Sequence, residues 1–248
     1  MESRTMVRPR LAAALAVMAA LGGCSHEMPP LRTPYPQPRS LAVLPLLNQS
    51  PSGDVDTIVV TDTLVSELAQ VEGLTVLPTN QPLKVLVARG QTHPTSLAQA
   101  TEIAQALGVD GVIVGAVTDY RPYSPQKVGM TLQLIWVRAD STIGGLDPIA
   151  AGRQAAAAPM TAAGYARRGS QVQAVLDAAG NDVTRRVQAY ATAHEGMDSP
   201  YGWRRYLVDS DAYMHFVCHE MIVRLLDSEL RRITIPVRTT DERLEHHR

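Results

Sequence analysis

The sequence predicts an α/β domain: a mixed β-sheet of four to five strands packed by helices, with a long helix as its last regular element. Three observations carry that expectation. Short apolar runs at 41–47 and 111–117 read as buried strands. Between them lie stretches whose apolar residues recur at helical spacing. A stretch over 210–232 pairs a charged stripe with a broad apolar face, as a helix packed on a sheet does.

Taken in order, the run Leu41-Ala42-Val43-Leu44-Pro45-Leu46-Leu47 ends in the turn formers Asn48, Ser50, Pro51 and Gly53, which bounds a first strand. Val60, Leu64, Leu68 and Val71 then fall on one helical stripe that Gly73 stops. A second strand follows over 74–78, and a short helix over 82–89 ends at Gly90. Ser96 and Gln99 form a capping box ahead of the stripe Leu97, Ala100, Ile103 and Leu107, and Gly108 sits where such a helix turns left-handed. The strand over 111–117 is apolar on both faces and so central. In the strand over 127–137, Val128, Met130, Leu132, Leu134 and Trp136 alternate with Gly129, Thr131 and Gln133, so one face meets solvent.

Periodicity then fails. Residues 141–166 are rich in Ala and Gly, carry Pro148 and Pro159, and read as loop. Residues 170–193 read as polar helix, with a further break at 198–202. In the final helix Glu220, Arg224, Asp227 and Arg231 form the solvent stripe. Met214, Val217, Cys218, Met221, Ile222 and Leu225 fill the other side, and the residues after Ile235 are polar.

The first residues read as an address. Arg4, Arg8 and Arg10 precede an apolar run over 11–21, which is too short for a bilayer span of roughly 20 residues. It fits the core of a secretory signal peptide. Leu21-Gly22-Gly23-Cys24 stands where a bacterial lipobox would, so the segment resembles that of a bacterial lipoprotein. That resemblance implies cleavage after Gly23, acylation of Cys24 and attachment to a membrane through the lipid. Ser25 carries no acidic retention signal, which favours the outer membrane, facing the periplasm. Pro29, Pro30, Pro34, Pro36 and Pro38 make 25–39 an extended tether of about 3.1 Å per residue. The expected organisation is a signal peptide at 1–23, anchor and tether at 24–39, and an α/β core at 40–140. A loop and polar helical insertion at 141–209 follows, then the closing helix at 210–235 and a tail at 236–248.

Residues 1–23 hold three arginines and one glutamate of the 23 Lys+Arg and 24 Asp+Glu in the chain, so the remainder carries a net charge near −3. Such a surface offers no long-range attraction to nucleic acid. With Cys24 acylated, Cys218 has no intramolecular partner, so the domain must hold together through its hydrophobic core.

The order of pieces resembles a known group. Leu41 to Asn48 is similar to the opening of the TolB amino-terminal domain, and to openings in the CsgG-like and LpoB-like lipoprotein families. Leu74 to Pro78 matches the "LxVLP" strand of those families. Leu107-Gly108-Val109-Asp110-Gly111-Val112-Ile113-Val114-Gly115-Ala116-Val117 matches their "LGVDAVIVGSV" segment, and Thr131 to Asp140 matches the strand that follows. The resemblance covers roughly 40–140 and implies a non-catalytic envelope protein that binds a protein partner or self-associates, as in secretion or envelope biogenesis. No propeller follows, and 141–166 lacks the paired amphipathic strands a curli-type pore subunit needs.

Candidate chemistry is sparse. His215, Cys218 and His219 lie within about 100° of one helix face at 100° per residue, so they could chelate a transition metal. A metal-binding protein or metalloenzyme built on them is the alternative reading; helix packing explains the same residues and is preferred, and no H-E-x-x-H is present. Gly108, Gly111 and Gly115 precede a strand instead of opening a helix, which is the wrong order for a nucleotide fingerprint. His194, Glu195 and Asp198 are acid/base candidates in a loop. Ser170 and Ser210 have no nucleophile-elbow setting. Tyr120, Arg121, Tyr123, Tyr201, Trp203 and Arg204 are the candidates for partner binding, because Tyr, Trp and Arg dominate interface hot spots. No cofactor, nucleotide or catalytic residue is expected.

Overall fold

β1 (Arg39–Val43), β3 (Leu74–Val76) and the start of β4 (Gly111–Arg121) run parallel, with β1 in the middle. The two-residue β2 (Leu47–Asn48) also joins β4 in parallel, further along it. β5 (Lys127–Trp136) pairs antiparallel with β4, and β6 (Arg167–Asp177) pairs antiparallel with β5. The sheet order is β3-β1-β4-β5-β6, a mixed sheet of six strands once β2 is counted. The computed structural model describes residues 29–137, 167–194 and 200–234. The readings made of the leader, Cys24, the loop at 141–166, Glu195, Asp198 and the tail lie outside them.

Helices cover both faces because the strands bury alternate residues on opposite sides. On one face Val43, Ile113, Val117, Met130, Leu132, Leu134 and Trp136 meet three helices: α1 (Thr57–Leu68), α4 (Asn181–Ala193) and α5 (Ser210–Thr234). The other face is a smaller core. There Ala42, Leu44, Val112 and Ile135 meet Leu86 of α2 (Asn80–Ala88) and Ala100, Ile103 and Ala104 of α3 (Leu97–Leu107).

Local signals explain the helix ends. The Asp56 carboxylate accepts from the amides of Ile58 and Val59 at the start of α1. Ser96 caps α3 by accepting from Gln99 N at 3.2 Å. The Gln99 side chain returns to Thr95 N at 2.8 Å, one residue before the expected partner. Gly108 closes α3 at φ 70°, which only glycine adopts without strain. Asp209 caps α5 through the amides of Asp211 and Ala212.

Two expectations change. Residues 170–193 are not one polar helix. Their first part belongs to β6, whose Val172, Ala174 and Leu176 pack on the large core while Gln171 and Gln173 alternate with them. Three turn residues, Ala178 to Gly180, then lead into α4. The sheet and its core therefore extend into the segment read as an insertion. The tether also ends early: Thr33 N donates to Glu72 O, Glu72 N donates to Leu31 O, and Tyr35 is buried. Proline-set extended backbone brings this stretch alongside the turn before β3, where its polar groups find partners.

Candidate functional site

α1 and α5 lie against each other on the large core, and their contact holds a polar cluster. Glu67 of α1 is 4% exposed and faces α5. Its Oε1 accepts from His215 Nδ1 at 2.8 Å and from the Tyr190 hydroxyl at 3.1 Å. His219, 8% exposed and one turn after His215, brings Nδ1 to 3.7 Å from Glu67 Oε2. His194, at the end of α4, stacks on Tyr190 with ring centroids 4.0 Å apart and sits 5.6 Å from the His219 ring. One ligand-type atom each from Glu67, His194 and His219 lies within 4.8 Å of the others.

Burial alone would raise the Glu67 carboxyl. Its hydrogen bonds and the neighbouring imidazoles outweigh that effect and hold it at about 2. The same contact raises His215, against burial that lowers it. Burial first, and Glu67 second, push the Tyr190 hydroxyl up. These contacts therefore favour the ionised form of Glu67 beneath two imidazoles.

The structure divides the sequence-derived metal candidates. His215 and His219 share Glu67, but Cys218 points into the apolar core, where burial pushes its thiol up and away from the thiolate a metal needs. Glu67 and His194 take its place beside His219. Glu67 had no sequence signal, since Ser66-Glu67-Leu68 reads as one polar position on an amphipathic helix. His194 was legible only as a polar loop residue.

The aromatic and arginine candidates fall into two groups. Tyr120 and Arg121 end β4, and Tyr123 stands in the β4–β5 turn at 80% exposure. Arg121 is tied down, with Nε donating to Pro125 O at 2.9 Å. Tyr201, 68% exposed, leads into a 3-10 turn (Gly202–Leu207) that carries Trp203 and Arg204. Trp203 is half-buried against the large core, and the Arg204 guanidinium lies 4.9 Å from its ring centroid. The turn leads directly into α5, and Asp211 of α5 helps to raise the Tyr120 hydroxyl, after burial. Both groups thus flank the start of α5.

Two other places bear on function. Ser170 donates its hydroxyl to Glu229 at 2.6 Å, so it is part of a structural contact. On the smaller-core side an open groove of about 380 Å³ runs between the start of α3 and the strands, over Ala116, Thr131, Gln133 and Gln171. Gly115 lies in the sheet beside it, where a Cβ would stand 2.3 Å from Thr131 O, so its absence allows β4 and β5 to pair closely.

No protein-family model matches the chain, and no curated protein is detectably similar to it. Several solved structures resemble it, three of them as follows. Lipoprotein GNA1162 from Neisseria meningitidis is 19% identical, with a TM-score of 0.38, over 64% of this chain and 99% of that one. The LpoB C-terminal domain from Salmonella enterica is 13% identical, at 0.39, over 66% and 92%. The hypothetical protein CT253 from Chlamydia trachomatis is 14% identical, at 0.37, over 79% and 95%. At these scores the likenesses fix neither the fold nor the activity of this chain.

Proposed function

We propose that this chain is a lipid-anchored protein of the bacterial envelope, acylated on Cys24 and held at the outer membrane facing the periplasm. Its α/β domain docks another envelope protein and carries out no reaction. Cys24 behind the apolar run over 11–21 supports the anchor. Among the described residues no helix is long and apolar enough to cross a membrane, which leaves the acyl chains as the attachment this reading needs.

The docking part rests on one observation: Tyr123 and Tyr201 stay largely exposed beside Arg121 and Arg204. Tyrosine and arginine at the rim of a packed domain supply rigid amphipathic contacts at low entropic cost. Site-specific photo-crosslinking in native envelopes tests it. A crosslinker at Tyr123 or Tyr201 is expected to trap one discrete partner band, while one at Val87, equally exposed on α2, traps none. A band at twice the chain mass would identify the partner as a second copy. No band from either tyrosine, or the same pattern from all three positions, would overturn the docking reading.

A further inference from the structure

Buried polar atoms are nearly always paired, and those that are not call for an explanation. In the α1–α4–α5 cluster two such atoms are Glu67 Oε2 and His219 Nε2, both buried and without a hydrogen-bond partner among the described residues. Leaving a charged oxygen unpaired costs more than leaving a neutral one. His215 and Tyr190 could have met both Glu67 oxygens, yet both bond to Oε1. The carboxylate is thereby fixed, and its second oxygen is left facing His219.

The spacing of Glu67 and His219 suits a cation better than a hydrogen bond. At 3.7 Å, His219 Nδ1 and Glu67 Oε2 are too far apart to share a proton. Two ligands on one tetrahedral zinc ion, each at ~2.0–2.1 Å, stand about 3.4 Å apart. His194 supplies the third group. Its Nδ1 donates to the Tyr190 carbonyl at 2.9 Å, so its lone pair is on Nε2. Metal-bound histidines are fixed in this way, with one ring nitrogen held by a carbonyl or carboxylate and the other on the ion.

We propose that Glu67, His194 and His219 bind a divalent transition-metal cation of the zinc type. Glu67 Oε2, a His219 ring nitrogen and His194 Nε2 are the ligands, and His215 and Tyr190 position the carboxylate. One carboxylate with two imidazoles is a donor set that zinc accepts, and it selects against calcium or magnesium, which take oxygen ligands. The ion would join α1, α4 and α5 at one point. This proposal stands apart from the docking reading, since neither Tyr123 nor Tyr201 is a ligand.

The test is a titration of the full chain, extracted in detergent and stripped with a chelator. Cobalt(II) reports through its visible bands, and zinc is then added in competition. One equivalent is expected to bind, with the intense absorption of a low-coordinate site. His194→Ala, at a half-buried helix end, should lose about 10–100-fold or more in affinity, as disrupted zinc shells do, while keeping its circular dichroism. His215→Ala should keep the stoichiometry and lose less. Replacing His246 and His247 by alanine should leave the equivalent intact and so separates adventitious chelation. As a second readout, zinc should raise the Tm of the wild type and leave that of Glu67→Gln unchanged. Absence of saturable binding, binding as tight in His194→Ala as in the wild type, or an equal zinc shift in Glu67→Gln would overturn the proposal.

Discussion

Glu229 and Glu67 are both buried glutamates on the large core, and the protein satisfies them in opposite ways. Glu229 accepts from six donors. They are the Tyr35 hydroxyl, Trp136 Nε1 at 2.8 Å, Ser170 N and Oγ at 2.9 and 2.6 Å, and Arg232 Nε and Nη2 at 2.9 and 2.5 Å. Three residues from distant parts of the chain meet Arg232 there, and every acceptor site is used. Glu67 takes both of its short hydrogen bonds on one oxygen and leaves the other without a partner among the described residues, 3.7 Å from His219. A saturated buried carboxylate holds a fold together. An unsaturated one beside two imidazoles leaves room for something to bind.

The largest expected effect tests the saturated side. Glu229→Gln leaves Arg232 without its counter-charge and turns an amide toward Ser170, so chemical denaturation should show a loss of about 3–5 kcal/mol, as for other broken buried pairs. A loss below ~1 kcal/mol would mean that the contact holds little.

Acid should remove most of the same energy. Burial works to raise the Glu229 carboxyl, but Arg232, Ser170, Tyr35 and Trp136 bring it from 4.5 to about 2. Because the folded value is depressed, the contribution is fully present above pH 4.5 and disappears as pH falls from there towards 2. Arg232 and the raised Tyr35 hydroxyl do not titrate in that window. The stability gap between wild type and Glu229→Gln should therefore be flat above pH 5 and shrink by roughly 3 kcal/mol below it, at about 1.4 kcal/mol per pKa unit. A gap that widens in acid would contradict the assignment.

Next in size is Tyr35→Phe, which removes one donor from a charged acceptor and should cost about 1.5–3 kcal/mol. It also tests whether the proline-rich stretch is part of the domain, since a pure tether residue would cost nothing.

The smallest effect decides whether the two sites differ in kind. In the presence of a chelator, Glu67→Gln should cost less than Glu229→Gln, because the amide oxygen can keep both donors, its NH₂ can face His219, and no arginine loses its counter-charge. A cost equal to that of Glu229→Gln would make Glu67 another structural anchor and end the contrast.

Much of the fold was legible, because burial on a central sheet leaves strong local patterns. The run over 41–47, the apolar strand at 111–117 and the stripe of α5 all point to elements that form. The pairs Glu220–Arg224 and Asp227–Arg231 form as their spacing implies, at 3.2 and 2.6 Å. β6 was harder. As an edge strand with one face of glutamines and small residues at Gly169, Ser170 and Ala174, it has weak hydrophobic alternation, and a polar helix fits the letters equally well. Tyr35 was missed because five prolines around it promise an unpacked chain, while its partner Glu229 lies 194 residues away. The candidate site was less legible still. His215 and His219 stand out by spacing, and Cys218 beside them lies buried in the apolar core. Glu67 and His194 join only through the packing of α1 and α4 on α5, which no local pattern encodes.

Docking at the envelope requires that the chain be attached there. Intact-mass spectrometry of the protein extracted from its native envelope measures that directly. The expected species begins at Cys24 and carries the added mass of diacylglyceryl and acyl groups. A free thiol at Cys24 behind an uncleaved 1–23 leader would contradict the anchor and the role built on it.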